Sequence, residues 1–302
     1  MTQLEIITRA ASHPQPCDAP ATAATRCVTP LVLSLFPGID LFGRGFEEEG
    51  FCVVRGPDVL WGGDIRRFHP PGGRFDGVIG GSPCQDFSRA RRTPPTGAGL
   101  EMLAEFVRVV GEARPAWFLL ENVTTVPTVA VKGYRVQRLD LAARECGLAQ
   151  RRRRHFQFGS RDGLVLVPVR GWTAPAQSQP TCLATEGKRP HRRTWGEFCA
   201  LQGLPTDFAL PGMTVSARYA AVGNGVAVPV ARVLAAAIRN AVPWHAVRLC
   251  ACGCGRRLTP NQVTATPACR QRQKRRRDAA VGAGGRTVTV TELVPRGHVA
   301  SH

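Results

Sequence analysis

The sequence has no apolar run that approaches the length of a membrane span, and its N-terminus lacks the basic segment and apolar core of a secretory signal. These absences argue against membrane-embedded and exported proteins. The chain nevertheless carries eleven cysteines. We therefore expect reduced thiols and a cytoplasmic protein.

Acidic residues are scarce. The 302 residues contain 22 Asp and Glu against 40 Lys and Arg, which gives a formal net charge of +18. This excess predicts a polyanionic partner, with nucleic acid first and an anionic membrane surface a distant second. Hydrophobic residues make up 43% of the chain, which is enough for a packed core and excludes a disordered protein.

Short apolar runs separated by helical or turn segments organise the middle of the chain. The runs that predict strands are residues 31–36, 50–54, 75–79, 116–121, 134–141 and 155–159. The last two are close enough in sequence to form a hairpin. Apolar spacing predicts helices over residues 100–112 and 230–241. The alternation indicates an α/β sheet with helices on both faces.

A thiol follows the third predicted strand. Residues 80–85 are Gly-Gly-Ser-Pro-Cys-Gln, so the strand runs into a tight turn that places Cys84 at the carboxyl edge of the sheet, where open α/β folds keep their chemistry. Pro83 fixes the backbone just before the thiol. Free cysteine is also among the most buried residue types, so this motif alone leaves a nucleophile and core filler both open.

The first predicted strand runs through a loop into a helix, and the loop contains Gly38. Glycine lets the backbone approach a ligand closely, and the helix N-terminus beyond it favours polar or anionic groups. Asp58 lies about 20 residues farther on, where such folds place a carboxylate on a ribose. Asp64 follows two more glycines. Surface loop positions are the alternative for both aspartates.

Charged residues also end the fourth strand and begin the sixth. Glu121 follows an apolar run, where a carboxylate is expensive to bury unless it is paired or protonated. If Glu121 lies in a cleft with a raised pKa, it can protonate a ring nitrogen of a substrate. The alternative is a Glu at the end of a strand that faces water. Residues 151–154 are all arginine. In a strand Arg152 and Arg154 point to one face, toward the site, and the other two point away, toward phosphates.

Together these motifs resemble the DNA cytosine-5 methyltransferase family of bacterial or phage type. The matching motifs, in the family's order, lie at residues 36–38, 82–85, 121–123, 150–154, 197–205 and 223–229. They span about residues 31–242. The resemblance implies a Rossmann-like class I S-adenosylmethionine-dependent methyltransferase fold, with a mixed seven-stranded sheet and a small target-recognition region.

The resemblance also implies a reaction. A methyl group passes from S-adenosylmethionine to C5 of cytosine in DNA, through a covalent bond between Cys84 and C6 of a flipped base. Glu121 would act at N3 and Arg154 at O2, with Arg152 as a further catalytic residue. The residues expected to bind the cofactor are Phe36, Pro37, Gly38, Ile39, Asp40, Asp58, Asp64, Ile65, Pro83, Asn224 and Val226.

Two departures from the family pattern stand out. Asp40 occupies the place of a second glycine in the first motif, which alters how the loop meets the methionine end of the cofactor. The target-recognition region, residues 160–192, lies between the motifs at 150–154 and 197–205 and has only about 30 residues. So short a region makes few contacts to base edges, which indicates a short or degenerate target.

The predicted segments are a flexible leader (1–30), a catalytic domain (31–159) that resumes at 193–242, a reduced target-recognition region (160–192), a Cys-rich basic extension (243–281) and a flexible tail (282–302). Double-stranded DNA is the expected partner, and a monomer is the default. The resemblance also implies association with the nucleoid or, if a phage encodes the protein, a place in the host cytoplasm. A solitary enzyme and one paired with a restriction system are both open. An RNA (tRNA) cytosine methyltransferase and a catalytically dead DNA-binding protein of the same fold are the alternatives.

The extension holds a second set of candidate ligands. Cys250, Cys252, Cys254 and Cys269 lie beside the basic run 270–277. Four cysteines next to such a run resemble a small zinc-binding module that contacts nucleic acid. The spacing differs from the usual Cys-x2-Cys pairs, so reduced thiols in a flexible basic tail are the alternative.

Overall fold

A computed structural model describes residues 29–88, 91, 93–171 and 178–282. The predicted leader, apart from its last two residues, and all but the first residue of the predicted tail lie outside the described residues.

A mixed sheet of six strands occupies the centre of the described part of the chain, in the order β2-β1-β3-β4-β6-β5. Its strands are β1 (Leu31–Leu35), β2 (Cys52–Arg55), β3 (Gly77–Gly81), β4 (Trp117–Asn122), β5 (Arg135–Ala142) and β6 (Arg153–Ser160). Strands β1 to β4 are parallel, and β6 is antiparallel to both of its neighbours. The carboxyl ends of the parallel strands and the first residues of β6 therefore share one edge.

The predicted Rossmann-like fold is confirmed, but the predicted count of seven strands is wrong for the described residues. Two further strands, β7 (Leu164–Val165) and β8 (Val242–Pro243), pair with each other in a separate two-stranded sheet. Each is only two residues long, and Pro243 has no backbone N–H with which to extend a ladder.

Helices cover both faces of the sheet, as predicted. The helices are α1 (Leu41–Glu48), α2 (Ala98–Ala113), α3 (Trp195–Leu201), α4 (Val215–Asn224), α5 (Val228–Arg239) and α6 (Pro267–Gly282). Apolar residues of α1 and α5 pack on one face with Val32, Ile79 and Leu119. Helix α2 covers the opposite face, where Phe106 meets Phe118 edge-to-face.

The run Val215–Arg239 is long and apolar enough to cross a membrane by length and composition. The prediction that no apolar run approaches the length of a membrane span is therefore wrong for this run. In the fold it is divided into α4 and α5, and 56% of its apolar window is buried. Helix α5 packs against α1 as a core helix, and core helices commonly meet the same criteria.

The segment 160–192 that the sequence assigns to target recognition contains β7 and a short 3-10 helix, Glu186–Lys188. Residues 172–177 within it lie outside the described residues. Its role and the other segment boundaries stay predictions.

Candidate active site

The Cys84 loop leaves the sheet at the carboxyl end of β3. Cys84 is half-buried and precedes a short 3-10 helix, Gln85–Phe87. The Asn122 side chain, at the end of β4, donates through Nδ2 to the carbonyl oxygen of Ser82 at 3.1 Å and to its Oγ at 3.0 Å. Sequence analysis gave Asn122 no role, yet it joins the thiol loop to the strand that carries Glu121.

Burial raises the pKa of the Cys84 thiol above its ordinary value, and the Glu121 carboxylate raises it further. Arg154 and Arg152 oppose this shift without overcoming it. The resting side chain is therefore a protonated thiol at neutral pH, so the arrival of a substrate has to favour the thiolate.

Glu121 and Arg154 form an ion pair beside the thiol. The Arg154 Nε lies 3.0 Å from Glu121 Oε1. Glu121 is only 7% exposed, and burial raises its pKa although both Arg154 and Arg152 lower it. A raised pKa favours the protonated form of the buried carboxyl, which can donate a hydrogen bond.

The Arg152 side chain forms hydrogen bonds to the backbone. Its buried guanidinium donates through Nη1 to the carbonyl oxygens of Cys182 at 3.1 Å and Gly223 at 2.7 Å, and through Nη2 to those of Asn224 and Gly225 at 3.3 and 3.2 Å. Burial lowers its pKa to about 10, and the neighbouring Arg154 adds to this. The residue predicted as catalytic thus ties the junction of α4 and α5 to the start of β6.

One cavity of about 560 Å³ opens at this edge of the sheet. It is lined by every residue that the sequence assigns to catalysis or to the cofactor: Phe36, Pro37, Gly38, Ile39, Asp40, Asp58, Asp64, Ile65, Pro83, Cys84, Glu121, Arg152, Arg154, Asn224 and Val226. The loop between β1 and α1 (residues 36–40), which we call the first-motif loop, and the Cys84 thiol therefore face the same cavity.

The first-motif loop has an unusual backbone at Asp40. This residue has φ 55° and ψ 47° and caps the N-terminus of α1, a left-handed conformation that costs a non-glycine residue about 1–2 kcal/mol. Its carboxylate accepts hydrogen bonds from Ser34 Oγ at 2.8 Å and the Gly43 amide at 2.9 Å, and Arg55 Nε lies 3.1 Å away. Side-chain bonding thus compensates where the family has glycine.

Asp58 lines the cavity, but its carboxylate already has partners. Oδ2 accepts from the Gly38 amide at 2.9 Å and Oδ1 from the Leu60 amide at 2.8 Å. The carboxylate therefore holds the first-motif loop, and its predicted contact with a ribose stays a prediction. The Trp61 Nε1 donates to the Gly38 carbonyl oxygen at 2.7 Å from the same segment. Sequence analysis missed Trp61; its only signal is a run of apolar residues before a glycine pair.

Asp64 begins a short 3-10 helix, Ile65–Arg67, and pairs with Arg66 at 2.9 Å. This hydrogen-bonded pairing lowers the pKa of Asp64. The side chain therefore stays ionised at the edge of the cavity, and its predicted part in cofactor binding stays a prediction.

The sequence profile described as C-5 cytosine-specific DNA methylase matches residues 62–184 and 171–240. The Type II methyltransferase M.XorII from Xanthomonas oryzae is 30% identical over 203 residues, covering 52% of this chain and 45% of that protein. The Type II methyltransferase M.FnuDI from Fusobacterium nucleatum is 32% identical over 168 residues, covering 44% and 47%. The chain thus spans about half the length of these curated relatives.

Solved structures with low sequence identity show the same fold. DNMT2 from Spodoptera frugiperda, solved as a mutant, matches with a TM-score of 0.53 at 13% identity, over 70% of this chain and 100% of that one. The Entamoeba histolytica methyltransferase EhMeth matches with a TM-score of 0.51 at 11% identity, over 70% and 98%.

Proposed function

Because the chain belongs to the C-5 cytosine-specific DNA methylase family, we propose that it methylates C5 of cytosine in double-stranded DNA through a covalent bond between Cys84 and C6. The observation that carries the proposal is the shared cavity, in which the Cys84 loop and the Glu121–Arg154 pair face the first-motif loop. A methyl donor and a nucleophile held in one cavity act on the same base.

The cavity fits S-adenosylmethionine. Phe36, Leu60 and Ile65 offer apolar surface to an adenine, and Asp64 offers a carboxylate to an amino group. Gly38, at φ 56° with open space where a Cβ would stand, leaves room for the close approach of a ligand. Bound S-adenosylmethionine supplies an electrophilic methyl group on a sulfonium.

The residues of the chain prepare the base. The Cys84 thiol loses its proton to solvent, and the thiolate adds to C6, which makes C5 nucleophilic. The protonated Glu121 carboxyl donates a hydrogen bond to N3, where negative charge accumulates. Arg154 holds O2 of the same ring. After the methyl group has moved to C5, the C5 proton leaves to a base and the Cys84 sulfur is expelled from C6, so that the aromatic ring is restored. The base has to be outside the duplex throughout.

Two observations support DNA over RNA as the substrate. The matching family profile is described as a DNA methylase, and the curated relatives are named Type II methyltransferases. The match to DNMT2 shows the fold alone. We also propose that the protein is a monomer and that a cognate restriction enzyme accompanies it. The metal expected in the C-terminal extension takes no part in these steps.

The test of the proposed function is methyl transfer from labelled S-adenosylmethionine to duplex DNA and to transfer RNA in parallel. We expect label in the DNA, and a loss of about 10³-fold or more for Cys84→Ser. Cys52→Ser, which changes an exposed thiol on β2, is the matched control. Label in transfer RNA alone would contradict the choice of substrate.

The covalent step has its own readout. A duplex with 5-fluorocytosine at the target blocks loss of the C5 substituent, so the Cys84–C6 bond persists after methyl transfer. We expect a denaturation-resistant protein–DNA adduct with the wild-type chain and with Cys52→Ser, and none with Cys84→Ser. An adduct that survives in Cys84→Ser would contradict the assignment of the nucleophile.

A further inference from the structure

Four cysteine sulfurs meet in the C-terminal extension, outside the methyl-transfer cavity. The Sγ atoms of Cys250, Cys252, Cys254 and Cys269 all lie within 4.8 Å of one another. The Cys250–Cys252 sulfurs are 3.5 Å apart and the Cys254–Cys269 sulfurs 3.8 Å. Both distances far exceed the ~2.05 Å of a disulfide. They match the ~3.8 Å edge of a sulfur tetrahedron around zinc, given Zn–S bonds of about 2.3 Å.

We propose that these four cysteines bind one Zn²⁺ and that the loaded site holds helix α6 against the edge of the central sheet. Tetrahedral sulfur sites take zinc or iron. All four side chains are buried, with at most 3% of any residue exposed. A closed site of four thiolates has no open position for a substrate, which is the pattern of structural zinc.

Hydrogen-bond donors surround the sulfurs. The Ala265 amide donates to Cys250 Sγ at 3.2 Å, and Thr266 Oγ1 donates to Cys269 Sγ at 3.1 Å. Arg256 Nη1 lies 3.7 Å from the Cys269 sulfur. Thiolates that ligate a metal accept such bonds from outer groups, which orient them and reduce their excess charge.

Arginines also offset the charge of the cluster. Four thiolates and one Zn²⁺ carry a net charge of −2. Arg170 donates through Nη2 to the Cys254 carbonyl oxygen at 2.7 Å, and it pairs through Nη1 with Glu145 at 2.8 Å. Arg256 bonds to the same glutamate. The extension is thereby joined to the segment that follows β5.

In the described part of the extension, few apolar side chains are buried. The buried cluster there consists of the four cysteines, and Leu258 and Ala265 pack against them as partly buried apolar residues. A segment of this size cannot build a sufficient core from apolar residues alone. Metal binding supplies the stability that such modules lack, because the free energy of binding is gained only in the folded state.

The cluster fixes α6 beside the catalytic edge. Cys269 lies in the first turn of α6, and Arg272 on the same helix contacts Asp140 of β5 at 3.4 Å. Asp140 also pairs with His155 of β6 at 2.7 Å, one residue from Arg154. Gly255, at φ 74°, comes so close to β5 that a Cβ would meet the Leu139 Cβ at 2.7 Å.

The direct test is the metal content of the full-length protein, measured by inductively coupled plasma mass spectrometry after growth with added zinc. We expect one zinc per chain in the wild type and in the Cys52→Ser control, and less than a tenth of that in Cys254→Ser. Exchange with Co²⁺ should give the sulfur-to-metal charge-transfer bands of a tetrahedral thiolate site. A zinc-free wild type, bound iron, or full zinc in Cys254→Ser would overturn the proposal.

The anchoring of α6 has a separate readout. Hydrogen exchange of the zinc-loaded wild type should protect the amides of α6, and removal of the metal with a chelator should speed their exchange at least tenfold while α2 is unchanged. Equal exchange with and without metal would overturn the anchoring role. Both measurements are independent of methyl transfer, so either proposal can fail while the other stands.

Discussion

Cys84, Glu121 and Arg154 influence one another through charge. The Glu121 carboxylate raises the pKa of Cys84, after the larger effect of burial, and Arg154 lowers it. Glu121→Gln should therefore shift the pH profile of Cys84 alkylation by iodoacetamide to lower pH. Arg154→Gln should shift the profile to higher pH.

Both variants are best made together with Cys52→Ser, which removes an exposed thiol that would also react. Mass spectrometry of the peptide that contains Cys84 gives the rate at each pH. Shifts of the same sign in the two variants would contradict the charge arrangement.

The sequence predicted which residues share the cavity, because most of them lie where a parallel strand ends or where β6 begins, and these strand ends meet at one edge. It did not predict what Asp58 and Arg152 bond to. The partners of Asp58 are a backbone amide 20 residues before it and another two residues after it. Those of Arg152 are the Cys182 carbonyl oxygen, 30 residues away, and three carbonyl oxygens more than 70 residues away at the α4–α5 junction. Residue types and spacing carry no signal for a bond to a distant backbone atom.

At the scale of elements, the start of α1 depends on Asp40. Asp40→Gly relaxes the left-handed backbone but loses the cap, whereas Asp40→Ala keeps the backbone cost and also loses the cap. We expect Asp40→Ala to lower the free energy of unfolding by about 2–3 kcal/mol and Asp40→Gly by about 1 kcal/mol.

Urea denaturation of the two variants gives both values. Ser34→Ala, which removes only one of the hydrogen bonds to the carboxylate, is the control and should lie closest to the wild type. Equal destabilisation by Gly and Ala would show that backbone conformation has no part in the effect.

Arg152 holds the junction between α4 and α5. Arg152→Lys keeps the charge but cannot reach four carbonyl oxygens, and unsatisfied buried acceptors cost about 1–3 kcal/mol each. Because Asn224 and Val226 of that junction line the cavity, we expect lower stability and a KM for S-adenosylmethionine raised at least fivefold. The kcat should stay within about threefold.

Arg153→Lys, which changes an exposed neighbour on the opposite face of β6, is the control. It should leave the stability, the KM for S-adenosylmethionine and the kcat unchanged. A collapse of kcat in Arg152→Lys, with KM and stability intact, would instead support the catalytic role that the sequence predicted.

The sequence has an excess of basic residues, and the structure shows where some of these residues lie. Arg270, Lys274, Arg275 and Arg277 are exposed on α6. The sequence indicated this basic run and the four cysteines beside it. Their docking on β5 depends on contacts such as Arg272 with Asp140, which are separated by 132 residues and have no local pattern.

If α6 contacts the DNA backbone, the triple variant Lys274→Gln, Arg275→Gln and Arg277→Gln should bind duplex DNA with a weaker dependence on salt. Each lost phosphate contact reduces the slope of log K against log salt by about 0.9, so we expect a change of about 2–3. The control is Arg44→Gln with Arg232→Gln, since both arginines pair with Glu48. An unchanged slope in the triple variant would exclude α6 from the interface.

Bisulfite sequencing of DNA from cells that express the protein is the sharpest test of cytosine methylation by Cys84, because it reports both the modified base and its sequence context. We expect protected cytosines within one short or degenerate target in cells with the wild type and with Cys52→Ser. We expect none in cells with Cys84→Ser. Fully converted cytosines in every strain, or protection that persists in Cys84→Ser, would contradict this expectation.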